Sequence, residues 1–141
     1  MALVIFIIGL PCSGKTTLAE KIAKETGCVL IDDPVAIEQI DGKITGAYPR
    51  SNPQELIWIE PNCNYIITDP WLVREQARGK ARKLFQGFAI DEIYFENDVD
   101  KCIKNMHYRN KITGENRNIN FKAFEYELPQ GVETVKIWQN E

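Results

Sequence analysis

Residues that bind metals or form disulfides are sparse in this sequence. It has a single histidine, His107, and its four cysteines form no C-x-x-C pair: Cys12, Cys28, Cys63 and Cys102. A zinc site needs clustered cysteine or histidine ligands, and a disulfide framework needs a denser set, so the pattern fits neither. We therefore expect reduced thiols in a cytoplasmic protein.

The sequence also lacks a surplus of positive charge and a long apolar segment. Its formal net charge is −3 and its pI is near 5.3, which argues against bulk electrostatic coating of nucleic acid but is compatible with a local basic groove. The apolar N-terminal run is too short to span a bilayer and has no basic leader, so we expect no membrane association. A chain of 141 residues predicts one domain, over 1–141.

What the sequence does contain is a glycine-rich motif between a predicted strand and a predicted helix. The segment GLPCSGKT at 9–16 fits the pattern G-x-x-x-x-G-K-[ST], with an apolar strand at 3–8 and a helix at 15–26. Such a loop turns backbone N–H groups towards a di- or triphosphate at the positive end of a helix dipole. The predicted nucleotide-binding residues are Gly9, Pro11, Cys12, Ser13, Gly14, Lys15, Thr16 and Thr17.

Within this motif, two side chains have specific expected roles. Lys15 would reach the β- and γ-phosphates of ATP, and the Thr16 hydroxyl would ligate the Mg²⁺ ion that bridges them. The alternative is a simple glycine turn between strand and helix, which the flanking elements make the weaker interpretation.

The rest of the chain predicts alternating strands and helices. Further strands are expected at 28–31, 65–68, 92–95 and 132–138, and further helices at 71–85, from the Asp98 cap to about 109, and at 121–128. The segment 41–64 is rich in Gly, Pro, Asn and Ser and predicts a mobile excursion with one short element near 54–59. Five strands with crossover helices predict an α/β fold with a parallel, doubly wound sheet, whose ligands lie beyond the carboxyl ends of the strands.

Three carboxylates follow predicted strands at that edge of the sheet. Asp32 and Asp33 follow the second strand, and Asp69 follows the third. Acids beside a polyphosphate coordinate magnesium, accept a proton from an acceptor hydroxyl, or bind substrate donors. The alternative is that Asp33 and Asp69, each before a proline, only open turns.

The order of these elements resembles the small P-loop kinases, in particular the kinase domain of phage polynucleotide kinase. The matching features are the phosphate loop, the strand end with Asp32 and Asp33, the strand end IITD at 66–69, and the later segment NMHYR at 105–109. The resemblance covers most of the chain and is firmest in the loop. It implies a three-layer P-loop NTPase sandwich of the nucleotide-kinase type.

The resemblance also implies roles for individual residues. Asp32 would be the general base that activates a 5′-hydroxyl, Asp69 would help to hold the acceptor nucleotide, and Arg109 would be the lid arginine that clamps the donor phosphates. Arg117 and Lys111 are the alternatives for the clamp, and Asp33 is the alternative base or an acceptor-binding residue.

One departure from the family pattern concerns acceptor binding. The segment 34–40, after the acidic pair, has no basic residue. Arg50 could take the place of the missing basic residue, as could Arg74 and Arg78 on the basic helix that follows Asp69. We take Arg74 as the predicted acceptor contact, against the alternative that this helix presents an ordinary solvated basic face.

Rival functions lack their signatures. A GTPase would need Asp-x-x-Gly and Asn-Lys-x-Asp, where this chain has DPWL at 69–72 and NKIT at 110–113. A remodelling ATPase would need a longer chain for its oligomer contacts. The sequence therefore predicts transfer of the γ-phosphoryl group of ATP, with Mg²⁺, to a hydroxyl. The resemblance implies that this hydroxyl is the 5′-hydroxyl of a nucleic acid or nucleotide. The alternatives are a kinase of a small hydroxylated metabolite and a nucleotide-dependent regulatory module without turnover.

Overall fold

A parallel sheet flanked by helices forms the centre of the computed structural model, which describes residues 1–139. Residues 140 and 141, the last two of the predicted domain, lie outside this range. In chain order the elements are β1 (Leu3–Ile8), α1 (Lys15–Thr26), β2 (Val29–Asp32), β3 (Ala36–Ile40), β4 (Lys43–Tyr48), β5 (Ile57–Trp58), β6 (Tyr65–Thr68), a 3₁₀ turn (Pro70–Val73), α2 (Glu75–Leu84), β7 (Ala89–Phe95), α3 (Val99–Thr113), a second 3₁₀ turn (Phe121–Ala123) and β8 (Thr134–Val135).

The central sheet has the strand order β2-β6-β1-β7-β8, and each pair of neighbours is parallel. The predicted α/β class and five-stranded parallel, doubly wound sheet are therefore confirmed. The register places Thr68, the last residue of β6, beside Ile7 of β1 on one side and Asp32 of β2 on the other. The carboxyl ends of these three strands thus meet at one edge of the sheet, which is where such folds bind ligands.

The central strand β1 shows why the sheet is covered on both faces. Val4, Phe6 and Ile8 pack on the side of α2, whereas Ile5 and Ile7 pack on the side of α1 and α3. Successive side chains of a strand point to opposite faces, so a continuous apolar run indicates burial on both.

The segment 41–64 differs from the prediction of a mobile excursion. It contributes β4 and β5 to a second, antiparallel sheet with the order β3-β4-β5, and β5 lies within the short element predicted near 54–59. The turn between β3 and β4 consists of Asp41 and Gly42, both with positive φ (53° and 77°), which suits a two-residue hairpin. The glycines and asparagines of this segment indicated turns, but the short strands between them lack the apolar alternation that would have revealed them.

Other boundaries are close to those predicted. Strands β1 and β6 and helix α1 match, and the Asp98 side chain caps α3 by accepting from Lys101 N (3.2 Å), although α3 extends to Thr113. The predicted helix at 71–85 is split into a 3₁₀ turn and α2, and only one 3₁₀ turn forms within 121–128. β7 begins three residues earlier than predicted, and β8 is shorter. Among the described residues, no helix combines the length and apolar character needed to cross a bilayer.

Candidate active site

The loop between β1 and α1 has a backbone that depends on its glycines. A Cβ atom on Gly9 would lie 2.8 Å from Ser13 Oγ and 2.9 Å from Phe95 Cβ, so no larger residue fits there without displacement. Gly14 has φ of 102° and Cys12 has φ of 65°, both in the left-handed region. No side chain caps the N-terminus of α1, so its first N–H groups remain directed into the loop.

Two buried polar groups of this loop fit a bound anion. Ser13 is fully buried, and its Oγ has no hydrogen-bond partner among residues 1–139. Lys15 is also buried, donates from Nζ to the carbonyl oxygen of Leu10 (2.9 Å), and has its pKa lowered to about 8 by burial. An unsatisfied hydroxyl and a desolvated ammonium are both stabilised by a phosphate group, so the donor set fits the polyphosphate of a nucleotide.

Asp32 links the loop to the strand ends. Its Oδ1 accepts hydrogen bonds from Thr16 Oγ1 (3.1 Å) and from Thr68 Oγ1 (2.5 Å). Within residues 1–139, its second carboxylate oxygen has no hydrogen-bond partner. The pair of Thr16 and Asp32 presents the oxygen ligands that Mg²⁺ prefers, and such ions are commonly held by one or two protein oxygens together with phosphates.

Asp33 lies next to Asp32 but has different partners. Its Oδ2 accepts a hydrogen bond from Arg50 Nε (2.6 Å), and its backbone N–H donates to the carbonyl oxygen (2.7 Å) and Oγ1 (3.1 Å) of Thr68. Its φ of 43° turns the chain away from β2 towards the antiparallel sheet. The sequence alone left open whether Arg50 or a later arginine replaces the missing basic residue, and Arg50 is the one that lies beside the acidic pair.

A cleft of about 320 Å³ collects most of the predicted site residues, and we call it the phosphate cleft. Its lining includes Lys15, Thr16, Asp32, Asp33, Arg50, Arg109 and Arg117. Pro11 and Cys12 also line it, whereas Thr17 is exposed and is not part of the lining. Topology thus brings the loop, the acidic pair and both candidate lid arginines together.

The helix α3 and the segment after it position the lid arginines. Asn105 Nδ2 donates to the carbonyl oxygen of Cys12 (3.0 Å), which joins α3 to the phosphate loop one turn before Arg109. Asn110 exchanges two hydrogen bonds with the backbone of Arg117 (2.9 and 3.2 Å), which holds Arg117 near the end of the helix. Both arginines are exposed and line the phosphate cleft, so the geometry leaves either available as the clamp.

Asp69 performs the turn role that was its alternative interpretation. Its Oδ1 accepts a hydrogen bond from Trp71 N (2.9 Å) and thereby caps the 3₁₀ turn. Burial raises the pKa of its carboxyl group. Asp69 does not line the phosphate cleft but an adjoining pocket of about 190 Å³, next to its neighbour Thr68, which does line the cleft.

The basic helix differs from its predicted use. Arg78 is 1% exposed and donates to three backbone carbonyls, so it cannot contact a nucleic-acid backbone. Arg74 pairs with Glu125 (2.9 Å) and Glu127 (2.8 Å) and is not part of the phosphate cleft. Both arginines hold the C-terminal segment, residues 125–127, against the start of α2. Charged groups that are withdrawn from water need partners of this kind.

Four lining residues of the phosphate cleft were not predicted from the sequence: Thr68, Pro70, Ile119 and Phe124. The Thr68 hydroxyl bridges Asp32 and the Asp33 amide, and Phe124 forms part of the cleft wall. Thr68 could have been found from its place between a buried strand and Asp69. Nothing in the sequence identified Phe124 as a lining residue, because its segment has no regular hydrophobic pattern and is positioned by long-range contacts with α2.

Comparison with known proteins agrees with this geometry. A family profile described as an AAA domain matches residues 4–128, and the chain belongs to this family. Shikimate kinases of Mycobacterium tuberculosis and Mycobacterium bovis are 42% identical to it over 55 residues. That alignment covers 38% of this chain and 31% of each relative, so the chain spans about a third of the length of the shikimate kinases that it matches.

Proposed function

We propose that this member of the AAA-domain family is a phosphotransferase that moves the γ-phosphoryl group of ATP to a hydroxyl, with the 5′-hydroxyl of a nucleic acid or nucleotide as the acceptor we favour. The observation that carries the proposal is the phosphate cleft, in which a phosphate loop, a partly unpaired carboxylate and three arginines converge. Phosphoryl transfer depends mainly on positioning and charge stabilisation, which such a set supplies.

The donor side is formed by the phosphate loop. Backbone N–H groups, the Ser13 hydroxyl and the Lys15 ammonium would hold the β- and γ-phosphates. The Thr16 hydroxyl would hold Mg²⁺, which when bound neutralises charge on the phosphates. Arg109, with Arg117 as the alternative, would stabilise the transferring group as its charge shifts.

The acceptor side is formed by the acidic pair. Asp32 would take the proton from the acceptor hydroxyl, whose oxygen then bonds to the γ-phosphorus as the bond to the leaving ADP oxygen breaks. Its free carboxylate oxygen and its two threonine donors suit an oriented base. Asp33 is the weaker candidate for the base, because Arg50 already occupies one of its oxygens, and it would bind the acceptor instead.

A second acceptor class is supported by a specific observation. The relatives that match 55 residues of the chain are named as shikimate kinases, and shikimate is a small hydroxylated metabolite. The net charge of −3 also gives no general attraction for nucleic acid. A small-molecule kinase is therefore the alternative that the experiment must separate from the favoured acceptor.

The test is transfer of radiolabel from [γ-³²P]ATP with Mg²⁺ to one of three acceptors: a 5′-hydroxyl oligonucleotide, thymidine or shikimate. We expect labelled oligonucleotide or thymidine, and expect Asp32→Asn to lower kcat by roughly 10²–10⁴-fold, the range for loss of a general base. Asp100→Asn, an exposed acid at the start of α3, is the matched control and should keep full activity.

The other outcomes each select another function. Label on shikimate alone would assign a small-metabolite kinase. ATP binding with neither hydrolysis nor label on any acceptor would contradict transfer and favour the regulatory module. Near-normal turnover of Asp32→Asn would remove Asp32 from the role of base.

A further inference from the structure

An apolar pocket lies on the α2 side of the central sheet, beside the phosphate cleft. Its volume is about 190 Å³. Ile31 and Ile67 of the central sheet form one wall, Ile37 and Ile44 of the antiparallel sheet form another, and Ala77 and Ala81 of α2 form a third. We call this space the ring pocket, for the reason given below.

Among residues 1–139, two charged residues line the ring pocket, Asp69 and Lys80. Lys80 is exposed, so its ammonium lies at the mouth. Asp69 is half-buried; one of its oxygens caps the 3₁₀ turn, and the other has no hydrogen-bond partner within residues 1–139. Burial raises the pKa of this carboxyl group. The pocket therefore offers one hydrogen-bond acceptor among apolar walls, a combination that orients a ligand carrying an N–H or O–H group.

The ring pocket and the phosphate cleft adjoin at the ends of two strands. After β2, Asp33 lines the cleft and Pro34 lines the pocket; at the end of β6, Thr68 lines the cleft and Asp69 lines the pocket. Consecutive Cα atoms are about 3.8 Å apart, so one residue of backbone separates the two spaces at each strand. A molecule with its hydroxyl at Asp32 therefore has the ring pocket within reach of its other end.

The size and walls of the pocket define what fits. An apolar cavity of about 150 Å³ holds benzene, so 190 Å³ accommodates one uncharged ring but not a nucleotide with its phosphates. We infer that the ring pocket receives the base of the acceptor's terminal nucleoside, with Asp69 accepting a hydrogen bond from the base and the 5′-hydroxyl directed to Asp32. This inference rests on the proposed function and adds that the acceptor is selected by its terminal ring.

The first test compares two acceptors with the wild-type protein. A 5′-hydroxyl oligothymidylate and the same oligonucleotide with an abasic 5′-terminal unit have the same phosphates and differ only in the terminal ring. We expect KM to be at least about tenfold lower for the oligothymidylate, the scale of a lost apolar pocket contact. Equal KM values for the two acceptors would overturn the inference.

The second test fills the ring pocket from α2. Ala77→Leu adds bulk into the pocket, and the matched control Gln76→Leu adds it at the neighbouring exposed position. We expect Ala77→Leu to raise KM for the oligothymidylate to the value of the abasic acceptor, and Gln76→Leu to leave both values unchanged. Equal effects of the two variants would contradict the assignment. Circular dichroism checks that the variants fold, and the wild-type comparison stands if Ala77→Leu does not.

A third measurement separates failure of this inference from failure of the proposed function. Thymidine is titrated against protein labelled at its alanine methyl groups, without ATP, and the Ala77 and Ala81 signals are followed by NMR. If no acceptor is phosphorylated yet these signals shift on titration, the proposed function fails and the ring pocket stands. If the signals do not move, the ring pocket is refuted whether or not transfer occurs.

Discussion

Arg78 is expected to matter for stability rather than for nucleic-acid binding, and its surroundings allow the size of the effect to be worked out. It is 1% exposed, and its guanidinium donates to the carbonyls of Leu72 (2.9 Å), Val73 (2.9 Å) and Glu127 (2.7 Å). It also contacts Glu75 Oε2 (3.0 Å) and lies 5.4 Å from the ring centroid of Tyr94. One side chain therefore joins the 3₁₀ turn, α2, β7 and the C-terminal segment.

The expected cost of Arg78→Ala follows from these contacts. A hydrogen bond to a charged group contributes about 1.5–3 kcal/mol, but the losses do not add, since the Val73 carbonyl also accepts from Glu127 N (2.8 Å). Glu75 is about half exposed, so its charge stays in water when Arg78 is removed. The cost comes from the carbonyls of Leu72 and Glu127, which lose a charged donor, and is roughly 3–5 kcal/mol for the two together. At roughly 2–4 °C per kcal/mol for a chain of this size, Tm should fall by roughly 10 °C.

Urea unfolding followed by circular dichroism measures this loss. Lys83→Ala, at an exposed position of the same helix, is the control and should change the free energy of unfolding by no more than about 0.5 kcal/mol. A loss below about 1 kcal/mol in Arg78→Ala would refute the argument that this arginine is a buried structural anchor.

The remaining predictions concern the phosphate cleft. Lys15→Ala should weaken ATP binding and abolish transfer while the circular dichroism spectrum stays normal, and unchanged ATP affinity by calorimetry would exclude the site. Burial lowers the pKa of Lys15 to about 8, so the affinity of the wild-type protein for ATP should decline above that pH as the ammonium is lost. Arg109→Ala should lower kcat by roughly 10²–10³-fold and affect ATP affinity less. Full activity in this variant, together with loss of activity in Arg117→Ala, would assign the phosphate clamp to Arg117. KM for a 5′-hydroxyl oligonucleotide should rise with salt concentration, with a log–log slope of about 0.7 per phosphate contacted, and Arg50→Ala should reduce this slope. A KM that does not change with salt in the wild-type protein would favour a small acceptor.

The sequence was informative where a local pattern has one physical solution. The apolar run of β1, the glycines at 9 and 14 and the helix after Lys15 define a strand, a phosphate loop and a helix from neighbouring residues alone. Asp98 likewise signalled the start of α3 through its own cap. In each case the contacts that stabilise the element lie within a few residues along the chain.

Long-range contacts decided the rest. The antiparallel sheet depends on pairing between segments with no apolar alternation, and the two threonines that orient Asp32 lie 16 and 36 residues from it. The arginines of α2 were indistinguishable in the sequence, yet Arg78 is buried because Leu72, Val73 and Glu127 place their carbonyls around it. Composition and spacing determined that the chain has a phosphate loop with acids at the carboxyl edge of a parallel sheet. Only the tertiary structure decided which charged side chains face the cleft and which stabilise the fold. The deciding partners lie far along the chain: Arg50 for Asp33, and residues 125 and 127 for Arg74 and Arg78.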